Sequence, residues 1–389
     1  MVESYAITRI PQTFFGVGKL MMLPELILSY GEKVLIITGN KSFMSSRLSS
    51  ELLNKIEKNK IQIQTASIPG EPSPAIIDQL VLQVQEFNPT VVVAIGGGSV
   101  LDAGKALAAM IPLKDSVYNY LEDVGTKKHP GVSLPFIAVP TTSGTGSEAT
   151  KNAVLSETGE KGFKKSLRHD NFIPVTAILD PLLSKNCPAN VTAYSGMDAF
   201  TQLLESFLSV KSNSFTDMLA KKGIMKIRDN LKKVVYNGED IHSRAEMSVA
   251  AYYSGITLAN AGLGVVHGFA QPLGCFFNIP HGIVCGTLMG SCNKITLRKA
   301  IEHDNKQVIS RYSAIGRLFT NEVNKNDTYY ASLLIDIIEM FIQELRIPLL
   351  SDFGIGTEHI EKIIVSTGNK NNPIPLNSEE LSEALRSRI

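Results

Sequence analysis

Two histidines, His267 and His281, interrupt an otherwise apolar, glycine-rich run, GLGVVHGFAQPLGCFFNIPHG, between Gly262 and Gly282. Val265, Val266, Phe269, Ala270 and Leu273 recur around His267 at helical spacing, so the first half of the run reads as a buried helix. Gly274, Asn278 and Pro280 end that helix, and His281 stands at the mouth of the next one. Either imidazole alone reads most simply as a core histidine whose nitrogens meet backbone carbonyls. A third residue changes that reading. Asp198, in SGMDAFTQLLESF, falls on a second apolar helix, where an unpaired carboxylate is costly unless a cation or donor meets it. Two neutral imidazoles and one carboxylate compose a divalent-metal site of the catalytic kind, with one position open to water or substrate.

The residues before this region supply a different chemistry. From the start to about residue 185, apolar strand-like runs alternate with helical ones: Lys33 to Thr38, Ile61 to Ala66, Thr90 to Ile95, Pro135 to Val139 and Val175 to Leu179 are strands. Helices are expected at Arg47 to Lys58, Ala75 to Phe87 and Val100 to Met110. Strands apolar throughout and separated by helices predict a doubly wound, mostly parallel, Rossmann-like sheet, whose ligands bind at the carboxyl ends of the strands. One such end runs straight into a helix through Gly96, Gly97, Gly98 and Ser99. Glycines there let a phosphate approach the first helical amides, so a dinucleotide pyrophosphate would fit. Ser99 as N-cap with Asp102 three residues on also reads as a capping box, an ordinary helix start. A second loop, FIAVPTTSGTGSEAT, places Thr141, Thr142, Ser143, Thr145 and Ser147 after a wholly apolar strand, where loops carry binding groups.

Beyond Pro188 the strand pattern stops and helical periodicity takes over, with helices expected at 191–210, 214–235, 242–261, 282–297, 299–319 and 327–345. The expected organisation is a dinucleotide-binding α/β domain, residues 1–185, followed by an all-α metal and substrate domain, residues 186–389. A chain of 389 residues suits two domains, and 44% hydrophobic with 19% charged residues supports a sizeable core. A net charge of +1, with the signs intermixed, gives no field to gather nucleic acid or an anionic membrane. The opening MVESYAITRIPQ has no apolar signal core, and no run approaches a membrane span, so a cytoplasmic protein is expected. Cys187, Cys275, Cys285 and Cys292 show no CxxC pairing and lie in apolar surroundings, so they read as reduced core residues rather than bridges or zinc-finger ligands.

With GGGS leading into a helix, PTTSGTGSE, GMDAF, and then HG and PHG in this order, the chain resembles the iron-containing, or group III, alcohol dehydrogenases. The resemblance spans essentially the whole length, from FFGVGKL (Phe15, Gly16, Gly18) to Asn372 and Pro373. It implies hydride transfer between a nicotinamide dinucleotide and a primary alcohol or aldehyde, in a homodimer or larger homo-oligomer. It also implies roles residue by residue. Gly97, Gly98 and Ser99 would hold the pyrophosphate with Asp102 beside them; Thr141, Thr142 and Thr145 would line the adenosine and nicotinamide side. Ser73 would sit near the nicotinamide ribose. Lys164 would match a cofactor-contacting lysine, though it reads equally as a solvated lysine in a charged turn. The metal ligands would be Asp198, His267 and His281.

Three departures qualify that pattern. The family's second histidine, four residues after the aspartate, is Gln202 here, and another histidine four residues after His267 is Gln271. Spacing of four keeps both on the faces of Asp198 and His267, so Gln202 stays among the ligand candidates and Gln271 among the catalytic ones. A glutamine carbonyl is a weaker ligand than imidazole and cannot titrate, which weakens the case for Fe2+ and makes Zn2+ a candidate, as in the related glycerol dehydrogenases. Where NAD-specific relatives often carry an acid after the strand that ends here at Thr38, this chain has Gly39, Asn40, Lys41 and Ser42. Nothing there repels a 2′-phosphate and Lys41 would attract it, which favours NADP over NAD. Two competing readings remain. A dehydroquinate-synthase-like lyase would need cationic residues for its substrate, and 255–290 holds no Arg or Lys. A metal-free, degenerate binding protein would not need the intact Asp198, His267 and His281. No serine or cysteine is nominated as nucleophile. Phe269, Phe276 and Phe277 permit a small or medium alcohol, while Gln202, Gln271 and Asn278 suit a more hydroxylated one.

Overall fold

A computed structural model describes residues 4–40, 42–157, 159 and 162–389. The first part runs β1 (Gln12–Phe15), α1 (Leu23–Leu28), β2 (Lys33–Gly39), α2 (Arg47–Lys58), β3 (Gln62–Ile68), α3 (Pro74–Gln83), β4 (Val91–Gly96), α4 (Gly98–Met110), β5 (Phe136–Pro140), β6 (Asn152–Glu157), β7 (Phe163–Arg168) and β8 (Thr176–Leu179). Six of these strands form a parallel sheet in the order β1-β8-β5-β4-β2-β3, and β6 pairs antiparallel with β7. Strands β4, β5 and β8 are buried along their whole length, which is why they carry Val, Ile and Ala on both faces rather than an alternating pattern. Helix α4 packs against β4 and β5 and buries every residue from Ala103 to Met110.

The second part is all-helical: α5 (Ala189–Leu208), α6 (Ser214–Tyr236), α7 (Ile241–Ala261), α8 (Val265–Phe277), α9 (His281–Glu302), α10 (Lys306–Gly316), α11 (Asp327–Glu344), α12 (Ile360–Val365) and α13 (Ser378–Arg386). Helix α5 is the centre of this bundle. Every residue from Gly196 to Leu208 is buried, and α6, α7, α9 and α10 all pack against it. The fold is therefore the expected one, a mostly parallel sheet followed by an all-helical part. Among the described residues no single helix is long and apolar enough to cross a membrane.

The differences from expectation are local and physical. Strand β1 and the β6–β7 hairpin escape the pattern because they are short or polar; β7 carries the half-buried Lys164 and Lys165 and the exposed Arg168. Helix α3 stops at Gln83 instead of continuing to Phe87. The helix expected over 299–319 is broken: α9 continues to Glu302, Asp304 takes φ 46°, and Asn305 accepts from the Val308 N–H to start α10. Ser99 does not cap α4. That helix begins at Gly98, its N-cap is Gly97, and no side chain caps it. The two parts meet backbone to backbone where Gly146 (φ 62°), in the loop after β5, lies on Gly255 of α7. A Cβ on Gly255 would stand 2.2 Å from the Gly146 carbonyl oxygen, so glycine is required there.

Candidate functional site

Helices α5, α8 and α9 bring Asp198, His267 and His281 together. Asp198 Oδ1 lies 3.3 Å from His267 Nε2 and 3.5 Å from His281 Nε2, and the two rings are 5.3 Å apart. Asp198 is 1% exposed, and its Oδ1 has no hydrogen-bond partner among the described residues. Burial favours a neutral carboxyl, but His281 and His267 outweigh it and hold Asp198 down to about 2. Burial also pulls His281 down to about 4, against the pull of Asp198, which leaves its ring neutral and able to ligate. His267 goes the other way: burial opposes its charge, but Cys285, Glu205 and Asp198 push it well above its usual value.

Two members of this cluster were not foreseen. Glu205, two turns after Asp198 on α5, accepts from the Val266 backbone N–H at 2.7 Å and from His267 Nδ1 at 2.6 Å. With Nδ1 donating, His267 turns Nε2 toward Asp198, as second partners of metal-binding histidines do. Cys285, one turn after His281 on α9, has its Sγ 3.5 Å from His267 Nε2 and 3.7 Å from His281 Nε2. Its expected role as a plain core residue therefore needs correction, although all four cysteines are free as expected. Burial pushes its thiol up to about 12. Spacing of seven from Asp198 and of four from His281 were the signals in the sequence.

The two glutamines part company. Gln271 lines the cleft beside His267 as predicted. Gln202 also lines it, but its Oε1 accepts from Ser254 Oγ at 2.9 Å and its amide donates toward Asp198. In this arrangement Gln202 reaches Ser254 with its oxygen and Asp198 with its amide.

A cleft of about 610 Å³ runs from this cluster to the sheet. Its walls include Gly98, Ser99, Asp102, Thr145 and Lys164 together with Gln202, His267, Gln271 and His281. Gly98 is needed for packing, since a Cβ there would meet the Thr145 methyl at 2.6 Å. Gly39, Gly97, Thr141 and Thr142 sit at or just after the carboxyl ends of β2, β4 and β5 but do not line the cleft, and Asn40 is exposed. Lys41 lies outside the described residues. Three expectations change in detail. Asp102 does not cap α4; it accepts from Ser147 Oγ at 2.5 Å and from the Val154 N–H at 3.1 Å, tying the loop and hairpin to the helix. The Ser73 hydroxyl caps α3 by accepting from the Ile76 N–H at 3.3 Å, and it stays off the cleft. Lys164 is no solvated turn residue: it projects from β7 and pairs with Glu71 at 2.6 Å. Lys370, unremarked in the sequence, also lines the cleft.

Residues 11–181 match the iron-containing alcohol dehydrogenase family, and residues 192–389 match the C-terminal part of the same family. The long-chain-alcohol dehydrogenase 1 of Geobacillus thermodenitrificans is 31% identical over 368 residues, covering 91% of this chain and 87% of that enzyme. The NADPH-dependent butanol dehydrogenase of Clostridium saccharobutylicum is 28% identical over 380 residues, covering 95% and 94%. Among solved structures, a halo-thermophilic archaeal alcohol dehydrogenase from a Red Sea brine pool superposes with a TM-score of 0.90 at 25% identity, covering all of both chains. The fold, the converged carboxylate and imidazoles, and these matches lead to one assignment: the chain belongs to the iron-containing alcohol dehydrogenase family and is an alcohol oxidoreductase.

Proposed function

We propose that the protein moves a hydride between NADP(H) and a primary alcohol or its aldehyde, with one divalent cation held by Asp198, His267 and His281. The observation that carries this reading is Asp198 Oδ1, a buried carboxylate oxygen with no donor, facing two imidazole nitrogens at 3.3 and 3.5 Å. An ionised oxygen left so is costly, and a cation between the three groups removes the cost. When bound, such an ion supplies Lewis acidity toward the alcohol oxygen.

The chain's own residues do the rest. Glu205 fixes the orientation of His267, and Gln202 steadies Asp198. Leu258, Leu263 and Ala270 make one wall of the cleft apolar and so exclude water from the reacting end. The uncapped N-terminus of α4 offers its first amides, with Ser99 on the cleft wall, to a pyrophosphate. Thr145 and Lys164 line the same wall, and Thr141 and Thr142 follow from the neighbouring strand end. The preference for NADP rests on Gly39 and Asn40 standing where an acid would repel a 2′-phosphate. It agrees with the NADPH dependence named for the Clostridium relative. The same reading assigns dinucleotide binding to residues 1–185 and the cation and alcohol to residues 186–389, in a cytoplasmic homodimer or larger assembly.

The test is a panel of alcohols and aldehydes assayed with NAD(H) and NADP(H) after reconstitution with zinc or ferrous ion, beside metal analysis and activity after chelation. Turnover that follows metal content, and is faster with NADP(H), supports the reading. A folded preparation that binds neither ion and leaves nicotinamide absorbance unchanged with every substrate sinks it.

A further inference from the structure

Four potential donor atoms, one each from Asp198, His267, His281 and Cys285, all lie within 4.8 Å of one another. A tetrahedral zinc has bonds of about 2.0–2.1 Å to nitrogen and oxygen and about 2.3 Å to sulfur. Its corners therefore stand about 3.3 Å apart for nitrogen and oxygen, and about 3.6 Å apart for nitrogen and sulfur. In this protein the two nitrogen–oxygen separations are 3.3 and 3.5 Å, and the two nitrogen–sulfur separations are 3.5 and 3.7 Å. A sulfur packed against one ring at such a distance would be ordinary. Four donor atoms around one point, one of them an orphaned carboxylate oxygen, are the dimensions of a coordination cage. Two observations favour Cys285 for the fourth corner. Gln202, the residue at the family's ligand position, has its oxygen held by Ser254. Cys285 is 0% exposed, follows His281 by one helical turn and shares its face of α9.

We infer that Cys285 is the fourth protein donor to the cation, that the alcohol oxygen would join as a fifth donor, and that this Asp–His–His–Cys set selects Zn2+ over Fe2+. This rests on the reading that Asp198, His267 and His281 hold a metal. Selection follows from ligand softness: a thiolate added to imidazoles in tetrahedral array suits zinc, whereas replacing imidazole by sulfur removes the harder donor set that retains ferrous ion. On loading, the Cys285 S–H bond breaks, its proton passes to the buffer and a sulfur–metal bond forms; no electron is transferred.

The experiment uses the full chain, stripped by chelation and reloaded with Co2+ as a spectroscopic substitute for zinc. Near-ultraviolet absorption from thiolate-to-cobalt charge transfer is expected in the wild type and in Cys292→Ser, a control for another buried cysteine of the same helix. In Cys285→Ser that absorption is lost while cobalt still binds, with affinity lower by at least about 10–100-fold, the loss that follows even an outer partner's removal. With zinc, X-ray absorption shows one sulfur neighbour at about 2.3 Å in the wild type and none in Cys285→Ser. In anaerobic competition at equal concentrations the wild type retains zinc over ferrous ion, and Cys285→Ser loses at least about tenfold of that margin.

A bound cobalt or zinc with no sulfur neighbour overturns the role of Cys285 and leaves the three-residue metal site standing. Retention of ferrous ion over zinc overturns the selection. Failure of the folded wild type to hold any of these ions better than Asp198→Ala overturns the metal site itself, and the inference with it.

Discussion

On the α4 side of the cleft, Lys105 Nζ donates to the Ser147 and Asn152 carbonyls and the Ser147 and Thr150 hydroxyls, at 2.7–3.1 Å, with Asp102 at 3.9 Å. On the α5 side, Asp198 Oδ1 meets two imidazoles and a thiol and accepts from none of them. Both clusters are buried and both carry charge, but in the first the lysine has its acceptors, whereas in the second the Asp198 Oδ1 has no donor among the described residues. The difference separates a polar network that holds a loop in place from the one we propose takes a cation. Burial alone does not distinguish them; the orphaned oxygen does.

Removing the second cluster's anchor should have the largest effect. Asp198→Ala is expected to lower kcat by roughly 10³-fold or more, the equivalent of several kcal/mol of lost charge stabilisation. Equilibrium binding of the dinucleotide should change little, because its groups stand on the other wall. A variant that kept both metal and turnover would end the contrast between the clusters.

Removing the first cluster's cation should instead damage stability. Lys105→Met leaves Asp102 buried beside an apolar side chain and is expected to cost about 3–5 kcal/mol in denaturant unfolding, with metal content per folded chain unchanged. Loss of metal from a fully folded Lys105→Met would show that the two clusters are not separate devices. Next in size is Glu205→Gln. An amide has one acceptor oxygen for two donors, Val266 N–H and His267 Nδ1–H, so metal affinity should fall about 10–100-fold by competition titration while the fold holds.

The smallest effect concerns pH. Glu148, 2% exposed beside Lys105, has its carboxyl raised to about 7, by burial above all. A carboxyl whose folded value exceeds its unfolded one binds its proton more tightly in the folded state. The stability it contributes is fully present below the unfolded value of 4.5 and is lost as pH rises through about 7. Glu148→Gln, neutral throughout, should therefore gain on the wild type by roughly 2–3 kcal/mol between pH 5 and pH 8. A stability difference that stays flat across that interval would place the ionised carboxylate comfortably in its network.

Much of this was legible in the sequence, and the parts that were not share causes. Asp198, His267 and His281 stand out because polar residues on apolar helices demand partners, and the central strands stand out because both their faces are buried. Cys285 was hidden by its own chemistry: a thiol among Ile283, Val284 and Leu288 looks like any core residue until His281 is placed one turn before it. Glu205 is a charged residue on a helix, ordinary until the helix proves buried all round. Ser73, Ser99 and Asp102 show the converse. Their types suit both capping and ligand binding, and only the coordinates reveal that Ser73 caps, Ser99 does not, and Asp102 ties down a loop.

The contact between Gly146 and Gly255 leaves room for hydrogen atoms alone. The loop bearing Thr145 and Ser147 must therefore travel with the middle of α7, and α7 is braced on the helix that carries Asp198. Distance between the sheet-side groups and the carboxylate is thus gauged by two bare α-carbons. Even a methyl at either position would act as a shim, spreading the reaction chamber from a point that touches neither reactant.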